Sequence, residues 1–135
     1  VNASERLRRV AESNLRGERV GTYSICSADR FVLEAGMLQG LRDDTAVLIE
    51  STCNQVNQFG GYTGMTPAAF GRFVSSVADT MRFPRSNVIL GGDHLGPWVW
   101  QGEPADSAMA KARELVRSCV LAGYTKIHLD ASMRC

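Results

Sequence analysis

Short apolar runs rich in β-branched residues alternate with helix-period segments along this chain. That alternation limits the available folds more than any other feature. Residues 20–26, 46–49, 88–90 and 126–132 read as strands. Between them lie three amphipathic segments. Asp29 caps a helix carrying Phe31, Val32, Ala35, Leu38 and Leu41, with Arg42 near its negative end. Thr66-Pro67 opens the clearest helix, an N-cap followed by proline at the first helical position, with Phe70, Phe73, Val74, Val77, Ala78 and Met81 on one stripe. Residues 105–122 form a long helix that turns Ala108, Ala112, Leu115, Val116 and Cys119 inward and ends at Gly123. A basic helix over residues 4–15, capped by Ser4 and closed by Gly17, precedes the first strand. Such alternation means parallel strands joined by right-handed helical crossovers. An open doubly wound sheet and part of an eight-fold (β/α) barrel both satisfy it. No G-x-G-x-x-G follows the first strand, which weighs against a dinucleotide-binding sheet.

The strand tips carry the chemistry. Val88-Ile-Leu runs into Gly91-Gly92, then Asp93-His94, and Gly96-Pro97 turns the chain away. Glycines weaken a strand unless a ligand or another backbone must approach it. Successive strand residues face opposite ways, so Asp93 and His94 share a pocket only if the strand bends there. The pair reads either as turn formers or as a proton-transfer carboxylate beside a metal-binding imidazole. Ser24 and Cys26, Glu50 with Thr52, and His128 with Asp130 and Ser132 lie at the other strand ends. In a (β/α) barrel that rim is the catalytic face. On the last strand Ile127 and Leu129 share one face, His128 and Asp130 the other.

Residues 51–65 have no helical or strand period and are rich in amides and glycines. A loop of that length is usually functional or disordered, and Phe59 and Tyr62 argue for order. Asn54, Gln55, Asn57 and Gln58 are its candidate ligand-binding groups; the competing reading is that they satisfy the loop's own backbone. Trp98 and Trp100 either lid a sugar, meet a partner chain or pack over the rim.

Composition excludes several classes. The 135 residues are enough for one domain with a real core, and a net charge of +1 gives no field that draws the chain to nucleic acid. No apolar run approaches the roughly 20 residues of a membrane span. The cysteines, Cys26, Cys53, Cys119 and Cys135, match no zinc or disulfide framework, so reduced thiols in a cytoplasmic protein are expected. Four strands cannot close a barrel of this type, so residues 1–135 are expected to be a fragment.

Residues 48–67 (LIESTCNQVNQFGGYTGMTP), 89–97 (ILGGDHLGP) and 126–133 (KIHLDASM) closely resemble the Z-subunit family of D-tagatose-1,6-bisphosphate aldolase. The resemblance spans nearly the whole chain. It implies an α/β fold, a TIM (β/α)8 barrel of which these residues form the N-terminal half. It implies a bacterial, cytoplasmic role in galactitol and N-acetylgalactosamine (tagatose 6-phosphate) catabolism. Its members are regarded as non-catalytic alone and as supporting the stability and activity of a catalytic Y subunit, the two together making a lyase that acts on a sugar phosphate. More distantly, Gly92-Asp-His94 and residues 128–132 are similar to strand ends of class II, zinc-dependent ketose-bisphosphate aldolases. That likeness implies an acid/base role for Asp93 and zinc, or another divalent metal, on His94. It leaves Asp130 as a second catalytic group, with Glu50, Asn54, Gln55, Asn57, Gln58, His128 and Ser132 as substrate contacts. The alternative is a metal-dependent aldolase or epimerase acting itself on a ketose phosphate or sugar acid. Asp29-Arg30 replaces the family's usual His-Pro, and Arg134 stands where a small residue is preferred.

Overall fold

The structure, a computed structural model, describes residues 3–132. Met133, Arg134 and Cys135, singled out in the sequence, lie outside the described residues. Helix α1 (Ala3–Leu15) precedes β1 (Ser24–Cys26), α2 (Arg30–Arg42), β2 (Val47–Thr52), α3 (Pro67–Met81), β3 (Val88–Leu95), α4 (Ala105–Leu121) and β4 (Lys126–Leu129). All strand pairs are parallel, in the spatial order β1-β2-β3-β4. A doubly wound sheet reverses its order at a switch point. This one never reverses, so right-handed crossovers lay α2, α3 and α4 along one face, as in a (β/α) barrel.

That face holds the main core. Val47 and Ile49 of β2 pack with Leu33 and Met37 of α2, Phe70 and Val74 of α3, and Leu115 and Cys119 of α4. Each such large side chain, sealed from water, contributes about 1.5–3 kcal/mol. The opposite face is thinner, with Ala46, Leu48 and Ile89 covered by Leu7 of α1.

The caps of α2 and α3 are as expected: Asp29 accepts from the Val32 amide at 3.1 Å and Thr66 from the Ala69 amide at 3.3 Å. Four expectations are corrected. Ser4 lies inside α1, which begins a residue earlier. The first strand covers only residues 24–26, because β2 begins at Val47, the position opposite Tyr23, and leaves residues 20–22 no strand neighbour to pair with. Strand β2 continues beyond Glu50 to Thr52, where β3 still pairs with it. The buried face of α2 is Leu33, Gly36, Met37 and Gly40, whereas Phe31 is 77% exposed and Val32, Leu38 and Leu41 also face outward. Helix α2 docks through its glycines: a Cβ on Gly36 would strike Ile25. Closest approach, not the count of apolar residues, chose the face.

Candidate ligand site at the strand ends

On the face opposite the helices, polar side chains stack in layers above Leu48 and Ile89. The first layer is Ser24, Glu50, Gly91 and Lys126. Glu50 is 4% exposed, accepts from the Ser24 hydroxyl and pairs with the Lys126 ammonium. Glycine leaves room beside it, since a Cβ at Gly91 would stand 3.0 Å from Glu50 Oε1 and 3.1 Å from Leu48 Cδ1 and would press on both. Lys126 Nζ also lies 3.9 Å from Asp93 Oδ1, which ties this layer to the one above.

The second layer is Cys26, Asp93, His94 and His128. Strand β3 slips its register against β4 between Gly92 and Leu95, and His94 takes a φ of +48°. That bulge and left-handed residue are the bend the sequence required: Asp93 and His94, adjacent in the chain, now meet at 3.1 Å between Oδ2 and Nδ1. His128 Nδ1 lies 2.8 Å from the other carboxylate oxygen, Oδ1. An ionised carboxylate only accepts, so in this contact the His128 ring donates Nδ1–H to Asp93. The two rings stand 4.7 Å apart. Burial pulls the Asp93 pKa upward, but its hydrogen bonds to His128 and His94 and the nearby positive charge outweigh that and hold it below the usual carboxylate value.

Holding a left-handed histidine costs about 1–3 kcal/mol and persists where the surroundings over-determine it. The chemistry of this donor set, two imidazoles and a carboxylate with one ligand atom each within 4.8 Å of the others, fits a divalent metal such as zinc.

Above these layers a cavity of about 350 Å³ is lined by Thr52, Asn54, His94, Trp98, Asp130 and Ser132. Asp130 accepts from the Ser132 amide at 2.9 Å and its hydroxyl at 2.5 Å. These bonds hold the Asp130 pKa below normal, with the nearby His94 and His128 adding to the effect. The structure thus gathers Asp93, His94 and His128 into one cluster, Asn54, Asp130 and Ser132 around its mouth, and Glu50 one layer beneath.

The remaining loop amides are placed elsewhere. Asn57 donates to the Cys53 carbonyl at 2.9 Å and accepts from the Phe59 and Gly61 amides. Gln58 donates to the Lys111 carbonyl at 3.0 Å, clamping the loop to α4. Gln55 is buried and accepts from the Thr52 amide at 2.8 Å and from the Cys26 thiol. At these three positions the amides serve the chain itself: the loop has no regular ladder to satisfy its backbone, and its own side chains supply the partners. The tryptophans divide, Trp100 packing edge-on against Phe59 at 6.2 Å and Trp98 facing the cavity.

Sequence reasoning passed over Lys126. The signal was present, because a strand alternates and Lys126 shares the parity of His128.

Cys26, an exposed residue, has its thiol beside this charged cluster. Burial, then the negative charge of Asp93 and Glu50, push its thiol up to about 11, against the opposing pull of Lys126. Reaction of native Cys26 with a thiol reagent should be slow at about pH 8 and rise about tenfold per pH unit as the thiolate forms. Buried Cys119, pushed up to about 12, should stay silent until the protein unfolds. Stopped-flow labelling with mass-spectrometric assignment checks both; Cys26 reacting at the rate of a free thiol would contradict the geometry.

A family model described as D-tagatose-1,6-bisphosphate aldolase subunit GatZ/KbaZ-like matches residues 7–135. Relatives named D-tagatose-1,6-bisphosphate aldolase subunit GatZ include one from Salmonella paratyphi B, 58% identical over 119 residues, covering 88% of this chain and 28% of the relative. Another, from Salmonella dublin, is 53% identical over 129 residues, covering 96% of this chain and 30% of the relative. A crystal structure from Sinorhizobium meliloti 1021, described as a probable tagatose 6 phosphate kinase, superposes with a TM-score of 0.84 at 58% identity, covering 86% of this chain and 30% of that one. The chain therefore spans less than a third of the length of the relatives it matches.

Proposed function

Because the chain belongs to the D-tagatose-1,6-bisphosphate aldolase subunit GatZ/KbaZ-like family, we propose that it forms the N-terminal four strands, with their intervening helices, of a Z-type subunit that supports a catalytic Y-type aldolase subunit in the cytoplasm. The observation that carries this reading is the 52–58% identity to proteins named as that subunit. No helix among the described residues is long and apolar enough to cross a membrane.

The site geometry suits such a role. A sugar phosphate entering the cavity meets Asn54, Asp130 and Ser132 as hydrogen-bonding groups and Trp98 as an apolar wall. Asp93, whose pKa is held below the ordinary carboxylate value, contacts His94 of that lining and acts as an acceptor rather than as a proton donor at neutral pH. Glu50 and Lys126 neutralise one another beneath it, so they orient the cluster without adding net charge. A divalent metal on His94 would polarise a ketose carbonyl.

The test is reconstitution. Full-length protein co-expressed with a Y-type catalytic subunit should co-purify with it and raise its turnover of tagatose 1,6-bisphosphate and its half-life on warming. Asp93→Asn should preserve that support within about twofold, since a support role acts through assembly and not through proton transfer at this carboxylate. Loss of the support in a folded Asp93→Asn variant would favour chemistry at the mouth itself. Absence of both co-purification and stimulation by the wild type would end the subunit reading.

A further inference from the structure

Resting on the reading of the strand ends as a ligand site, we infer that His94 and His128 together with Asp93 hold a single divalent cation of the zinc class, complete within β3 and β4. The inference differs from a site built on one histidine and donors from elsewhere, because it makes His128 a ligand and not a substrate contact.

Three observations carry it. One ligand atom each from Asp93, His94 and His128 lies within 4.8 Å of the others. Donors around a tetrahedral zinc with bonds of about 2.0–2.1 Å stand about 3.3 Å apart, so a modest contraction closes the site. Both imidazoles can make that movement, since their side chains are 56% and 44% exposed. Second, Asp93 addresses both rings through separate oxygens, at 2.8 and 3.1 Å. A carboxylate oxygen is thus already set against Nδ1 of each ring, so the three donors face one another and a metal can take the place of the ring proton at Nδ1. Third, the backbone is distorted where this requires it. The register slip in β3 and the left-handed φ at His94 bring two neighbouring side chains onto one side of the sheet.

Competing explanations are weaker. A plain structural ion pair would have Asp93 matched to Lys126, yet Lys126 is 3.9 Å away and held by Glu50. Two histidines and one carboxylate form a borderline-soft set that suits zinc better than the all-oxygen cages of magnesium or calcium. Three protein ligands leave a fourth position. His94 lines the cavity that also holds Asn54, Asp130 and Ser132, so that position would take an oxygen of a polyhydroxylated ligand.

The test is a cobalt(II) titration of the metal-stripped, full-length protein, read by its visible d–d bands, with zinc displacing the cobalt. One equivalent should bind. His128→Ala and His94→Ala should each lower the affinity by more than about 100-fold, beyond what loss of an outer-sphere partner causes. His128→Gln repeats the test should the alanine variant fail to fold, with circular dichroism confirming that each variant is native. If His94→Ala abolishes binding and His128→Gln leaves it unchanged, His128 is not a ligand and the inference is overturned. A wild-type protein that takes up no cobalt overturns it as well. Neither result touches the subunit reading, which stands or falls on co-purification and stimulation of the partner.

Discussion

Lys126→Met is expected to destabilise the full-length protein by about 3 kcal/mol, the lower end of the range for breaking a buried ion pair. The cause is what the substitution leaves behind. Glu50 is 4% exposed on a face sealed below by Leu48, Ile89 and Leu7. Without the ammonium, its charge keeps, among the described residues, the Ser24 hydroxyl as its hydrogen-bond partner. Lys126 itself is a quarter exposed, so water relieves part of the loss and the upper end of the range does not apply. The double variant Lys126→Met/Glu50→Leu should recover most of the stability, because it removes both charges and their desolvation together. Urea unfolding of the three proteins measures this. A single variant within about 0.5 kcal/mol of wild type would show that the pair behaves like surface charge.

Gly40→Val should cost about 2–3 kcal/mol through overpacking. A Cβ at this position would stand 2.6 Å from Val47 Cγ2 and 2.9 Å from the Phe83 ring, and both neighbours are buried. Neither can yield without moving β2 or the turn after α3. Removing glycine from a helix interior ordinarily gains up to about 1 kcal/mol, so the expected sign is opposite to that of a propensity argument. The clash must exceed the gain for the prediction to hold. Thermal unfolding of Gly40→Val beside Gly71→Ala offers the contrast. The Cβ of the latter would sit at 3.4 Å from Leu90, an ordinary contact. Equal melting temperatures for the two would mean that α2 does not depend on close approach to the sheet.

Much of this protein was legible before any coordinates. Thr66-Pro67 and Asp29 announced their helices because capping is local: a side-chain oxygen, an amide three residues on and a fixed φ are all set within one turn. Parallel strands followed from alternation, since a helical crossover returns the chain in the same direction. Asp93 and His94 were legible as polar residues at a buried strand's end beyond a glycine pair, a position open to turn formation or to chemistry.

Other features waited on the fold. The buried face of α2 was misjudged, because apolar periodicity marks Phe31 and Leu38 while contact distance favours Gly36 and Gly40. Asn57 and Gln58 looked like ligand groups, yet they bind their own loop and α4, since an irregular backbone must find partners somewhere. Lys126 became part of the site only when β3 and β4 were paired, 35 residues separating Gly91 from its partner in the register.

The amino-acid order alone determined the strand and helix types, their parallel sense and the residues able to do chemistry at the strand tips, because these depend on neighbours a few positions away. Only the tertiary structure decided that Asp93 would lie between two imidazoles. That contact needs β4 beside β3, and a slipped register with a left-handed His94, both set by packing between segments far apart in the chain.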